Sequence, residues 1–201
     1  MEIAKLIIKL SQLKTEQARL DERWQKTGNR AFLEFMIELL PMALAAERCS
    51  IFISNPDNDS VWIQCGTGIK EKQITVPGKD SIVGEVIASG QKVIDNNLKK
   101  RIGVHDLIAL KTGYTAHNVL CVPVLDRQQR VVAGAIQLLN KHPAEEGFTE
   151  KDGLLVEKLA HHMHTNIGNL FLSQELANVT LEIGEKIEQI EDSLLKQGIA
   201  L

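Results

Sequence analysis

No block of lysine and arginine, no long apolar run and no close pair of cysteines occurs in this sequence. The formal charge is only -3, so the basic footprint that nucleic acid or an anionic membrane surface requires is missing. No apolar stretch approaches the length that spans a bilayer, and the N-terminus interleaves Glu2, Lys5 and Lys9 with its apolar residues instead of building a signal-peptide core. A cytoplasmic chain is expected. The three cysteines, Cys49, Cys65 and Cys121, are an odd number in apolar, strand-like surroundings, which argues against a disulfide framework or a zinc spacing and predicts buried, reduced thiols.

What is present is an ordinary globular composition. With 201 residues, 44% of them apolar, the chain suffices for one domain with helical extensions and is short for two. Val119 to Val124 and Val131 to Leu139 are apolar, β-branched runs that read as strands buried on both faces. The five polar residues Asp126 to Arg130 between them are too few for a crossover helix, so the pair is an antiparallel hairpin. Cys49 to Ser54 and Val61 to Cys65, joined by turn formers from Asn55 to Asp59, predict a second hairpin, with short strands near Gln73 to Val76 and at Val93-Ile94.

The helical segments show a different period. Ile3, Leu6, Leu10, Leu13, Gln17, Leu20 and Trp24 fall at alternating steps of three and four, a coiled-coil seam over residues 1 to 26. Arg30 to Glu47 predicts a second helix that Pro41 kinks or restarts, because proline cannot donate to the carbonyl of Ile37. Asp80 or Ser81 caps a short helix ending at Ser89-Gly90, and Thr149 caps a long one whose Leu155, Leu159, Met163, Ile167 and Leu170 are expected to face the sheet. Leu176, Val179, Ile183, Ile187, Ile190 and Leu194 then return to coiled-coil spacing.

As a set, Thr112-Gly113-Tyr114, the run Leu120 to Val124, the run Val131 to Lys141, Phe148 and Asp152 resemble a GAF domain. The resemblance is to the regulatory GAF domains of cyclic-nucleotide phosphodiesterases and some bacterial adenylyl cyclases. It implies an α+β, PAS-related fold with a central antiparallel sheet of about six strands and helices on both faces. On this reading residues 1-27 form an N-terminal dimerisation helix, 28-173 the GAF domain and 174-201 a C-terminal coiled-coil helix. The family's Asn-Lys-Phe-Asp-Glu pattern stands here as Asn140, Lys141, Phe148 and Asp152, with Gly153 in place of the final glutamate; its Lys and Asp imply a pair that holds strand to helix.

The resemblance also implies a ligand pocket between the sheet and residues 80 to 116, with a lid from Asn96 to Lys111. Ser50, Thr112 and Gln137 match positions that line the nucleotide pocket in cyclic-nucleotide-binding relatives, and Ile82, Val83 and Ile108 supply apolar walls. A hydroxyl and a carboxamide suit a purine edge, which offers both donors and acceptors. Ala109 and Ala116 replace an Asp and a Thr of those relatives, with Asp106 and Thr115 near enough to substitute.

Catalysis is the competing class. A GAF-like family reduces free methionine sulfoxide through lid and pocket cysteines, but here all three cysteines lie within strands, and a thiolate nucleophile needs an exposed, electropositive site. His161, His162 and His164 form no metal constellation, since only the first and last share a helix face and no other ligand is placed beside them. The expectation is therefore a non-enzymatic sensor that forms a homodimer through its terminal helices and signals in trans to a protein partner. Cyclic GMP or cyclic AMP is the leading bound ligand, no other cofactor or metal is expected, and a ligand-free dimeric scaffold is the alternative.

Overall fold

Strands β5 (Val119–Leu125) and β6 (Val132–Lys141) pair antiparallel with Val122 opposite Ile136, the hairpin that the two apolar runs predict. The computed structural model describes residues 8, 11–16, 18–19, 29–54, 60–68, 75–100, 113–125, 131–143 and 146–196. On the far side of β6 lies β1 (Ala46–Ser54), with Ser50 opposite Gln137. Beyond β1 come β2 (Ser60–Gly66) and β3 (Thr75–Pro77), and beyond β5 comes β4 (Val93–Asp95), giving one six-stranded sheet in the order β3-β2-β1-β6-β5-β4. Every pairing between neighbours is antiparallel.

Side chains alternate across a strand, so the sheet has two apolar faces, and the helices divide between them. Helices α1 (Asn29–Leu44) and α3 (Glu150–Lys196) cover one face, where Leu33, Met36, Leu40, Ile51, Ile53, Leu120, Ile136, Leu138, Met163 and Ile167 form the larger core. Helix α2 (Ile82–Ser89) covers the other, where Phe52, Val61, Ile63, Val76, Val83, Val86, Leu98, Val119 and Cys121 pack together. The architecture is the α+β arrangement expected, with helices on both faces.

Local chemistry accounts for the element ends. Ser81 caps α2 by accepting from the Gly84 amide at 3.0 Å, and Gly90 closes it in the left-handed region, which glycine enters without steric cost. At α3, the Thr149 amide donates to Asp152 Oδ2 at 2.7 Å while the Asp152 amide donates to the Thr149 hydroxyl at 3.3 Å, a reciprocal cap. Helix α1 runs on through Pro41 rather than restarting. The Ile37 carbonyl that Pro41 cannot serve receives the Thr67 hydroxyl from the end of β2, at 3.5 Å.

Three expectations need correction. The helix over 30 to 47 ends at Leu44, because Ala45 turns into the left-handed region (φ 53°), and Ala46 and Glu47 already belong to β1. Leu155 is exposed rather than against the sheet; Val156, Ala160, Met163, Ile167 and Phe171 form the buried stripe. The pairing of Asp152 with Lys141 of β6 sets the helix rotation, and that stripe continues the Asp152 face. The third concerns Cys65, which is half-buried, whereas Cys49 and Cys121 are fully buried.

Helix α3 continues unbroken through the expected boundary at 173/174. On its distal half Thr180 and Ile187 are buried while Val179 and Leu181 are exposed. Residues 8, 11–16 and 18–19 are helical and Leu13 is half-buried; the other seam positions of the N-terminal helix, Ile3, Leu6, Leu10, Gln17, Leu20 and Trp24, lie outside the described residues. Among the described residues, no helix is long and apolar enough to cross a membrane.

Candidate functional site

The α2 face of the sheet carries a row of polar side chains laid down by strand register. Ser50 on β1 pairs with Gln137 on β6, Gln137 with Cys121 on β5, and Cys121 with Val93 on β4. Alternation puts Ser50 on the same side as Phe52, and Gln137 on the same side as Ala135 and Leu139, all in the α2-face cluster. Directly opposed residues hold their Cβ atoms about 5 Å apart, so the hydroxyl and the carboxamide form one polar strip. On its outer side Ser50 faces Gly66, where an added Cβ would stand 2.8 Å from the Ser50 hydroxyl, so glycine there leaves the hydroxyl its room.

Ser50 is buried and Gln137 half-buried, yet among the described residues neither side chain has a hydrogen-bond partner. A buried polar group without a partner costs about 1–3 kcal/mol, which makes the strip a place where a ligand's donors and acceptors would be rewarded. Ile82 and Val83 on α2 are buried against the same cluster and supply apolar walls. Ile108 and Thr112 lie outside the described residues. Thr115 is exposed and held at the end of β6, where its carbonyl accepts from Asn140 Nδ2 at 2.9 Å.

The thiols offer no nucleophile at Cys49 or Cys121. Burial, with the neighbouring sulfurs, pushes the Cys49 thiol far above its ordinary range, and burial, with Glu85, does the same to Cys121. Among the described residues no group of three or more His, Cys, Asp or Glu could hold a metal ion. His164 Nδ1 lies against the His161 carbonyl, and its ring sits 5.4 Å from the His161 ring, so these residues contact one another along the helix surface.

The motif residues Asn140, Lys141, Phe148 and Asp152 gather where β6 hands over to α3. Lys141 Nζ lies 2.5 Å from Asp152 Oδ2, both side chains being largely buried. Burial alone would raise the Asp152 carboxyl, but the Lys141 ammonium and the Thr149 amide and hydroxyl hold it below its usual range. Asn140, in the left-handed region at φ 56°, sends its amide to Glu47, to the Tyr114 hydroxyl and to the Thr115 carbonyl, each at 2.9 Å. Its carbonyl accepts from the His117 amide at 2.7 Å.

Glu47 is the hub of this knot, accepting also from Tyr114 at 2.9 Å and lying 2.8 Å from His142, while Arg48 stacks 3.6 Å above the Tyr114 ring. The Asn140 amide, then Tyr114 and His142, keep the Glu47 carboxyl low against the opposing effect of partial burial. Burial and the adjacent carboxylate push the Tyr114 phenol up.

Sequence reasoning missed Glu47, Asn96, Asn118 and Lys92 as parts of this end of the molecule. Only Lys92 left a signal, in the glycine at 153: a Cβ there would meet the Lys92 stem at 3.2 Å. Lys92 crosses the first turn of α3 to reach Glu150 at 3.0 Å and Glu157 at 3.1 Å.

A family profile described as GAF domain matches residues 30–167. The probable 3',5'-cyclic phosphodiesterase pde-5 of Caenorhabditis elegans is 29% identical over 119 residues, which cover 53% of this chain and 16% of that protein. The chain thus spans a small part of the length of that relative. The GAF domain of the Acinetobacter phosphoenolpyruvate-protein phosphotransferase superposes with a TM-score of 0.57 at 19% identity, covering 78% of this chain and 92% of that one. Free methionine-R-sulfoxide reductase of Neisseria meningitidis, solved with its substrate, gives 0.55 at 19% identity, covering 88% of this chain and 94% of that one. At such identities the likeness is one of fold.

Proposed function

The chain belongs to the GAF domain family, and from that premise we propose that it is a regulatory, non-enzymatic sensor of a small molecule, with a cyclic nucleotide, cyclic GMP or cyclic AMP, as its ligand. The observation that carries this reading is the strip formed by Ser50 and Gln137, two adjacent polar side chains on the α2 face without partners among the described residues. Ser50 and Gln137 would bind the base edge, and Ile82 and Val83 would flank the ring. Ile108, Thr112 and Thr115 belong to the proposed site by resemblance. The similarity to a probable cyclic phosphodiesterase supports the choice of ligand, and the raised thiols of Cys49 and Cys121 weigh against thiol chemistry.

A thermal-shift comparison tests the ligand class. Binding to the folded state alone stabilises by about 2.7 kcal/mol at a hundredfold excess over the dissociation constant, which raises the melting temperature by several degrees. One of the two cyclic nucleotides is expected to produce that rise, and adenosine or guanosine a smaller one. Equal melting temperatures with and without every compound would count against the reading.

The apolar residues outside the core favour an interaction role in addition. Phe35 and Met42 on α1 and Leu154 and Leu172 on α3 are exposed by half or more. Exposed apolar side chains of this size are the kind that a second copy of the chain covers. The expected result in light scattering is a dimer for the parent chain and a monomer for Phe35→Glu. A monomeric parent at tens of micromolar would remove the homodimer from the proposal, and so would a Phe35→Glu variant that stays dimeric.

A further inference from the structure

Residues at both described ends of the connection between β4 and β5 are tied to the junctions where α1 ends and α3 begins. Asn96, which follows β4, donates from Nδ2 to the Phe148 carbonyl at 3.0 Å and accepts at Oδ1 from the Phe148 amide at 2.8 Å. A single carboxamide thus pairs with both backbone groups of one residue, as a strand neighbour would. Gly147 makes this approach possible: its φ is +60°, and a Cβ there would stand 2.4 Å from the Asn96 carboxamide. Phe148 is buried and lies two residues before α3.

Two residues beyond Asn96, Leu98 buries its side chain in the α2-face cluster and donates its amide to the His117 carbonyl at 3.1 Å. The His117 backbone amide in turn donates to Asn140 Oδ1, and the Asn140 backbone N–H donates to the Asn118 carbonyl at 3.1 Å. Asn140 binds Glu47, three residues past the end of α1. Hydrogen bonds joined by short stretches of backbone therefore link the residues before α3, through Asn96 and the buried Leu98, to the residues after α1.

We infer that Asn96 is a coupling residue that links the segment leading into α3 to the α2 face of the sheet, so that loosening of the helix start is felt at Leu98. By this route the proposed sensor would pass a change on the α2 face to its long helix. The coupling rests on that reading for its purpose alone. Its test uses no ligand, so failure here leaves ligand binding untouched, and failure to bind leaves the coupling standing.

The test is amide hydrogen exchange on the full chain and on Thr149→Ala, Asn96→Ala and the double variant. Leu98 rates are compared directly, and a slower rate at Ile136, whose central position reports global opening, shows that Leu98 exchanges by local opening. Asn96 is exposed, so its removal spares the core. Loss of the Thr149 cap costs about 1 kcal/mol, and the Leu98 rate is expected to rise about fivefold with Asn96 in place. With Asn96→Ala already present, the same change is expected to add less than about twofold. The inference is overturned if Thr149→Ala leaves Leu98 unchanged, or raises it equally in both backgrounds.

Discussion

Replacing Asp152 with alanine lowers stability by about 3 kcal/mol at neutral pH, because the change strands the Lys141 ammonium and removes the acceptor that caps α3. Both side chains of the pair are largely buried, which sets it apart from exposed pairs such as Lys186 with Glu182, where the expected loss is a fraction of that. The pH dependence identifies the cause. The Asp152 carboxyl is held below its ordinary value in the folded chain, so its contribution is fully present above about pH 4 and fades as pH falls through the lower folded value. Urea midpoints of parent and Asp152→Ala should therefore differ most at pH 7 and draw together toward pH 3. A constant gap over that range would mean that the carboxylate is not the source of the loss.

Gly134→Ala is expected to cost about as much, for a different reason. Gly134 lies in β6 between Ile53 and Val124, and a Cβ there would stand 2.2 Å from the Phe52 carbonyl and 3.2 Å from the Ile167 side chain. The first clash is with backbone at the centre of the sheet, which yields little, so about 3 kcal/mol of strain is expected. Gly184→Ala provides the contrast. That glycine sits inside α3 with nothing within 4 Å of the added carbon, so alanine should stabilise by up to about 1 kcal/mol through helix propensity. The pair should move the urea midpoint in opposite directions; a shared sign would show that close approach is not what fixes glycine at 134.

Most of the fold was legible because it rests on local periodicity. The hairpin from Val119 to Leu139 and the caps at Ser81, Gly90 and Thr149 are written in adjacent residues. Errors arose where a distant contact decides. Leu155 and Val156 are equally plausible core residues by spacing, and the pairing of Asp152 with Lys141 chooses between them. Ala45 carries no sequence signal for the left-handed turn that ends α1, since alanine rarely adopts it.

For the candidate site, the sequence offers residues by resemblance and no arrangement. Resemblance pointed to Ser50 and Gln137, but only strand register makes them neighbours. The Asn96 clasp joins residues 52 positions apart through backbone groups, and such bonds leave no pattern in the chain. Asn140 is the same case: the motif names it, while its bonds to Glu47, Tyr114 and Thr115 depend on three separate segments meeting.

The most direct test of the central proposal is calorimetric titration of the full chain with cyclic GMP and with cyclic AMP, beside Gln137→Leu. The proposal predicts saturable heat with at least one nucleotide and an affinity at least about tenfold weaker in the variant, the loss expected when a buried polar contact is removed. No heat with either nucleotide, or equal affinity in parent and variant, would contradict it.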